Sequence, residues 1–229
     1  MLQEIFFSNG ESDRYFNRNI NSIMQNERRQ DYIYKFLAAN HHLIFNKNVL
    51  EIGCCNGYRL SWLRDDFQCM CYGCDPSEVA INDGIVRYCL SNLFVMKQLE
   101  SFWQRRELSK KFCENFFDVV IFGFCLYLVT PSILPFIVAE IDNILKVGGY
   151  VIIFDFHSPP YKRPYHHIND KEVFSYKMDY AKIFTWLPYY HLIEKKVISQ
   201  EYSVWWQDDR ACSVIKKVDI NTAYPTYPI

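Results

Sequence analysis

The residues best suited to chemistry gather in one short stretch, Val49-Leu50-Glu51-Ile52-Gly53-Cys54-Cys55-Asn56-Gly57-Tyr58, and in one acid further along, Asp75. Val49, Leu50 and Ile52 suit a buried parallel strand. Gly53 and Gly57 admit positive φ, or a close backbone approach where a side chain would collide with a ligand. A helix from about Tyr58 to Asp66 would aim its unpaired N–H groups back at the same turn, a place for an anionic or polar ligand. Asp75, in Asp75-Pro76-Ser77, closes a second apolar strand over Cys69 to Cys74. Its distance from Glu51 is close to the roughly 20-residue offset at which such an acid meets ribose hydroxyls. A carboxylate accepts two hydrogen bonds at once from a vicinal diol. The same acid, with Ser77, also fits the N-cap of a helix over Glu78 to Cys89.

Two further clusters carry reactive or gripping side chains. Arg14-Tyr15-Phe16-Asn17-Arg18-Asn19 is dense in groups that hold a carboxylate, and reads equally as a polar helix end at the surface. The stretch from Asp155 through His157 to His166 and His167 is polar and aromatic, with Asp155 placed to orient a donor. Histidine titrates where a general base must, so His157, His166 or His167 could take a hydroxyl proton as the oxygen attacks; a surface-loop histidine is the competing reading of each.

The elements that must position these groups alternate. Tyr32, Ile33, Phe36 and Leu37 recur at helical spacing between Gln30 and Asn40. Leu93 to Met96 is a third strand, and the charged helical stretch Glu100 to Glu114 reads as a surface insertion. Val119 to Phe122 is a fourth buried strand with Gly123, Phe124 and Tyr127 at its carboxyl end, where ligands of open parallel sheets lie. A helix over Pro131 to Leu145 ends on the glycine turn Val147-Gly148-Gly149, and Tyr150 to Phe154 is the fifth strand. Asp179 to Ile193 reads as a helix and cap over an acceptor site. Glu194 to Trp206 and Arg210 to Val218 read as a terminal antiparallel pair, and the tail from Thr222 as extended or frayed.

Composition narrows the classes. A chain of 229 residues, half of them apolar, suffices for one α/β domain with a large core. With 25 basic and 26 acidic residues the net charge is −1, so no basic surface advertises nucleic acid. A small-molecule partner is favoured. No apolar run approaches the roughly 20 residues of a membrane-spanning helix, and Glu4, Glu11 and Asp13 argue against a signal peptide, so a cytoplasmic location is expected. Nine cysteines fit that compartment as buried thiols. Cys69, Cys71 and Cys74 lack the second Cys/His pair of a zinc site and read as core.

Spacing chooses among adenosine ligands. A dinucleotide fingerprint anchored on Gly53 would need glycine at Cys55 and Tyr58, and both are absent. Acidic-x-Gly-x-x-x-Gly resembles instead the first motif of class I S-adenosylmethionine-dependent methyltransferases, with Cys55 at the usual middle glycine. Phe116-Phe117-Asp118 before the fourth strand and Lys146-Val147-Gly148-Gly149 before the fifth are also similar to that family. The resemblance implies a Rossmann-like α/β fold with a seven-stranded, mostly parallel sheet, an antiparallel C-terminal strand and helices on both faces. It divides a single domain into a lid and helix over 1–45, a cofactor core over 46–156, and acceptor loops with terminal strands over 157–229. It implies S-adenosylmethionine contacts from Glu51, Gly53, Cys54, Asn56, Gly57, Asp75, Pro76, Gly123 and Phe124, with Arg14, Tyr15 and Asn19 reaching the methionine carboxylate from the lid. The chain is similar to the small methyltransferases of bacterial surface-polysaccharide pathways, which implies a sugar oxygen or a capsule decoration such as a phosphoramidate as acceptor. An amine acceptor and a non-catalytic cofactor-binding protein stay open as alternatives.

Overall fold

Successive residues of a strand face opposite sides of its sheet, and this period-two alternation separates two apolar layers. Val49, Val119, Ile121, Ile152 and Val214 join Ile33, Leu37, Leu60 and Leu63 on one face; Leu50, Val120, Phe122, Ile153 and Ile215 join Ile137, Ile141 and Phe184 on the other. The structure, a computed structural model, describes residues 10–97, 99–165, 167, 173–198 and 209–226.

The strands are β1 (Asn48–Ile52), β2 (Met70–Asp75), β3 (Leu93–Val95), β4 (Phe117–Gly123), β5 (Leu145–Phe156), β6 (Tyr161–Pro164), β7 (Phe174–Lys177), β8 (Tyr190–Ile198) and β9 (Arg210–Lys217). A seven-stranded sheet runs in the order β3-β2-β1-β4-β5-β9-β8, and β6 pairs with β7 separately. β1 to β5 run parallel, and β9 is antiparallel to both β5 and β8. The order reverses between β1 and β4, the place where ligands enter open α/β sheets.

The helices are α1 (Ser12–Met24), α2 (Tyr32–Ala39), α3 (Tyr58–Phe67), α4 (Glu78–Tyr88), α5 (Leu99–Gln104), α6 (Glu107–Lys111), α7 (Leu134–Ile144), α8 (Lys182–Thr185) and α9 (Ile220–Ala223). Buried residues of α2, α3 and α4 serve the first apolar layer, and those of α5, α6, α7 and α8 serve the second. Asp31 caps α2 by accepting the Tyr34 N–H, and Ser77, rather than Asp75, caps α4 by accepting that of Ala80.

Four sequence expectations need correction. The stretch after β3 is no surface insertion, because Trp103, Leu108 and Phe112 are buried in the main core. Its Arg106 and Ser109 satisfy the fully buried Glu140 of α7. Residues 179–193 are not one helix: α8 is one short turn whose Phe184 packs on Phe122 and Tyr190, and β8 already begins at Tyr190. Helix α7 stops at Ile144 without a glycine, and Gly148, at φ +85°, falls inside the irregular start of β5. Of the tail, Thr222 and Ala223 are helical, as the last residues of the short α9, which Asp219 caps. Cys69, Cys71 and Cys74 are buried, with the Cys69 and Cys71 thiols against the Ile44 and Leu60 carbonyls. No helix among the described residues is long and apolar enough to cross a membrane.

Candidate active site

At the reversal between β1 and β4 a cavity of about 290 Å³ is enclosed by the turn after β1, the ends of β2 and β4, and helix α1 above. Helix α1 covers it because Phe16 is buried while Tyr15 and Asn19 of the same helix line the cavity. Asp13 anchors the helix by accepting hydrogen bonds from the Ser77 hydroxyl at 2.7 Å and the Val79 N–H at 3.2 Å.

The turn is shaped mainly by protein contacts. Gly53 has φ +70°, and a Cβ there would stand 2.6 Å from Cβ of Cys125, so the glycine makes room for the β4 loop rather than for a ligand. The Gly53 and Cys54 N–H groups donate to the Cys74 carbonyl, and the Cys55 N–H donates to Asp75 Oδ2 at 2.8 Å. Cys55 holds φ +55°, a left-handed conformation usually left to glycine. Gly57, at φ +71°, admits Leu90 and Leu93, and the buried Asn56 donates to Asp83 Oδ2. Asn56 and Gly57 therefore pack the turn against α4 and do not line the cavity.

Three carboxylates and one guanidinium set the electrostatics. Arg59, second residue of α3, is buried and donates Nη1 to Glu51 Oε1, and Nε and Nη2 to Asp31 Oδ2 at 2.9 and 2.8 Å. Glu51 is 1 % exposed, and its Oε2 has no hydrogen-bond partner among the described residues. Burial pushes the Glu51 carboxyl up to about 7 against the pull of Arg59. Gly123 lies over this pair: a Cβ there would meet Arg59 Nη1 at 2.6 Å and Glu51 Oε1 at 2.8 Å. Asp75 accepts the Cys55 N–H on one oxygen and the Ser77 N–H on the other, each oxygen keeping a further lone pair, and burial raises it to about 6.

The remaining wall is aromatic. Phe124, at φ +64°, packs against Tyr127, Phe154 and Phe156. Burial raises the hydroxyls of Tyr15, Tyr58 and Tyr127, with Tyr58 at about 12, so they stay neutral donors. At the β3 side Met96 and Trp103 line the cavity, and the buried Trp103 Nε1 has no acceptor among the described residues.

Of the cofactor contacts expected from the sequence, Tyr15, Asn19, Glu51, Gly53, Cys54, Asp75, Pro76, Gly123 and Phe124 meet at this cavity. Arg14 does not; its Nε donates to Glu11 at 2.9 Å, away from the lining. The histidines expected as a base stand apart from this cavity where they are described. His157 lies beyond β5 with Nδ1 3.8 Å from Asp179, His167 is exposed beside Tyr165, and neither lines the cavity. His166 lies outside the described residues. Asp155, expected to orient a donor, accepts the Leu126 and Phe156 N–H groups and so fixes the loop after β4, and burial raises it to about 7. Arg59 and Trp103 are the residues that sequence reasoning missed. The one signal for Arg59 was an arginine between Tyr58 and the core positions Leu60 and Leu63.

Residues 50–153 match the family model described as a methyltransferase domain. No curated relative matches the chain. Among solved structures it is similar to the Burkholderia thailandensis 1,6-didemethyltoxoflavin-N1-methyltransferase, at 14 % identity over 94 % of this chain and 88 % of that one, TM-score 0.66. It is also similar to a TehB-like S-adenosylmethionine-dependent methyltransferase of Corynebacterium glutamicum, at 14 % identity over 91 % and 98 %, TM-score 0.58. A third is an S-adenosylmethionine-dependent methyltransferase of Mesorhizobium loti, at 11 % identity over 83 % and 100 %, TM-score 0.59. The chain thus has the Rossmann-like fold of the S-adenosylmethionine-dependent methyltransferases, and the stretch that matches the methyltransferase domain runs from within β1 to within β5 and so includes the turn after β1 and the ends of β2 and β4 that build the cavity.

Proposed function

We propose that the chain is an S-adenosylmethionine-dependent methyltransferase acting on a small polar molecule. The observation that carries this reading is the buried Glu51 oxygen without a partner, in the same cavity as Asp75 and Trp103. An unpaired buried carboxylate oxygen calls for a cationic donor, and an amino-acid ammonium is one. Asp75 has lone pairs left for a ribose diol, and the Trp103 N–H is left for a nitrogen of adenine. The residues present fit S-adenosylmethionine at both ends.

The cofactor would supply an electrophilic methyl group on a positively charged sulfur. The chain's own part is alignment and exclusion of water. Glu51 and Asp75 fix the two ends of the ligand, α1 closes over it, and the faces of Phe124 and Tyr127 offer negative π-density to a cation. A cytoplasmic location belongs to the same proposal.

The sequence favoured an oxygen acceptor of a sugar or capsule precursor, with histidine as base. That finer assignment lacks support from the cavity, because no described histidine lines it. An amine acceptor is the second reading, favoured by the same observation: a neutral amine attacks through its own lone pair and needs no base at the moment of transfer. The N-methylation named for the Burkholderia relative is in keeping with it. Incubating the protein with S-adenosylmethionine and panels of small amines and hydroxylated compounds tests the proposal. One product gaining 14 mass units, H replaced by CH₃, is expected; release of no S-adenosylhomocysteine with any acceptor would leave a binding protein without catalysis.

A further inference from the structure

A second cavity, of about 260 Å³, opens beside the first and shares Asn26, Tyr58 and Arg59 with it. Its apolar wall is Phe154 and Tyr32, whose rings stack with centroids 5.6 Å apart. Arg210, the first residue of β9, also lines it. The guanidinium carbon stands 5.9 Å from the Phe154 ring centre and 6.0 Å from that of Phe124, which belongs to the first cavity. Arg210 therefore sits where the two spaces approach each other.

Its hydrogen bonding is incomplete. The Arg210 Nε is buried and has no acceptor among the described residues, and among those residues no carboxylate pairs with the guanidinium. The other arginine of this cavity, Arg59, is saturated by Asp31 and Glu51. Asp31 is itself occupied by Arg59 and by the Tyr34 N–H. The other acid of the lining, Glu27, is exposed to water. Just outside, Lys35 and Lys196 stand 4.9 and 5.8 Å from the Tyr32 ring centre without an ion pair among the described residues. Lys35 and Lys196 are exposed like Glu27, so the charge that stands without a partner on the buried side of this cavity is that of Arg210.

We propose that the second cavity receives the methyl acceptor and that Arg210 binds a carboxylate carried by that acceptor. The acceptor role rests on the methyl-transfer reading above. Nε and a neighbouring Nη form a flat two-donor fork that matches a planar carboxylate. One unpaired cation in the lining balances one carboxylate charge better than a phosphate dianion, and the Tyr32 and Phe154 faces suit an apolar or aromatic body attached to it.

The test uses benzoate, its neutral counterpart benzamide, and phenyl phosphate as probes, titrated into the full chain with and without saturating S-adenosylhomocysteine. Benzoate is expected to bind about tenfold or more tightly than benzamide. Arg210→Gln should abolish that preference, and Arg210→Lys should keep part of it. All three proteins should bind S-adenosylhomocysteine alike, which also reports that the variants fold. Equal binding of benzoate and benzamide, a preference that survives Arg210→Gln, or tighter binding of phenyl phosphate than of benzoate would overturn the carboxylate assignment. Failure of the wild-type chain to bind S-adenosylhomocysteine, with the benzoate preference intact, would instead overturn the acceptor role along with the methyl-transfer reading.

Discussion

Replacing Glu51 by Gln separates its two roles, as a buried charge in the fold and as a ligand for a cation. Burial moves the carboxyl from 4.5 to about 7. At about 1.4 kcal/mol per unit, the ionised group costs the native state on the order of 3 kcal/mol. The sign follows from proton counts. Between those two values the folded chain keeps a proton that the unfolded chain has released, so this group's contribution to stability falls as pH rises from about 4.5 to about 7. Glutamine of the same shape carries no such dependence. The melting temperature of Glu51→Gln relative to wild type should therefore rise by roughly 5–10 °C between pH 4.5 and pH 8. Asp75 and Asp155, both raised by burial, are common to the two proteins and cancel in the difference. The binding role runs the other way. Loss of a charge-assisted bond from a ligand ammonium should weaken S-adenosylhomocysteine by about ten- to a hundredfold at pH 7.5, read by calorimetry. Equal affinity in the two proteins would take Glu51 out of the ligand site, and a melting difference that does not change with pH would mean that its carboxyl is not raised by burial.

Three other substitutions probe the cavity. Asp75→Ala should abolish measurable S-adenosylhomocysteine binding and cost about 2 kcal/mol in urea unfolding, since the Cys55 and Ser77 N–H groups lose their acceptor. Trp103→Phe deletes an N–H that bonds to no described residue and leaves a void where the larger indole was buried, so affinity should fall about three- to tenfold while denaturant unfolding loses about 1–3 kcal/mol. Gly123→Ala would drive a methyl group into the Arg59–Glu51 contact; a loss of about 1–3 kcal/mol in denaturant unfolding and weaker calorimetric binding are expected together.

How much was legible from residue order alone depended on whether a feature is local. The strands β1, β4 and β5 and the turn after β1 were readable because apolar runs and glycine spacing are written within ten residues. Asp75 was readable through its offset. What the glycines admit was not: the atom nearest a Cβ at Gly53 belongs to Cys125, far along the chain. Arg59 looked like an ordinary helix charge until Asp31 and Glu51, from two other elements, closed on it. The stretch around Trp103 misled because its charged residues outnumber its buried ones, although Trp103, Leu108 and Phe112 decide where it packs. The loop histidines attracted attention for their chemistry, but residue type says nothing about direction, and the described ones lie outside the cavity. Arg14 was lost to Glu11, a neighbour on the same helical turn.

A crystal structure of the chain grown with S-adenosylhomocysteine would show which groups hold the nucleoside. The ribose hydroxyls should lie on Asp75, the amino group on Glu51 Oε2 and the adenine beside Trp103, under helix α1. Density for the nucleoside anywhere else, or a cavity that stays empty at saturating concentration, would contradict this placement.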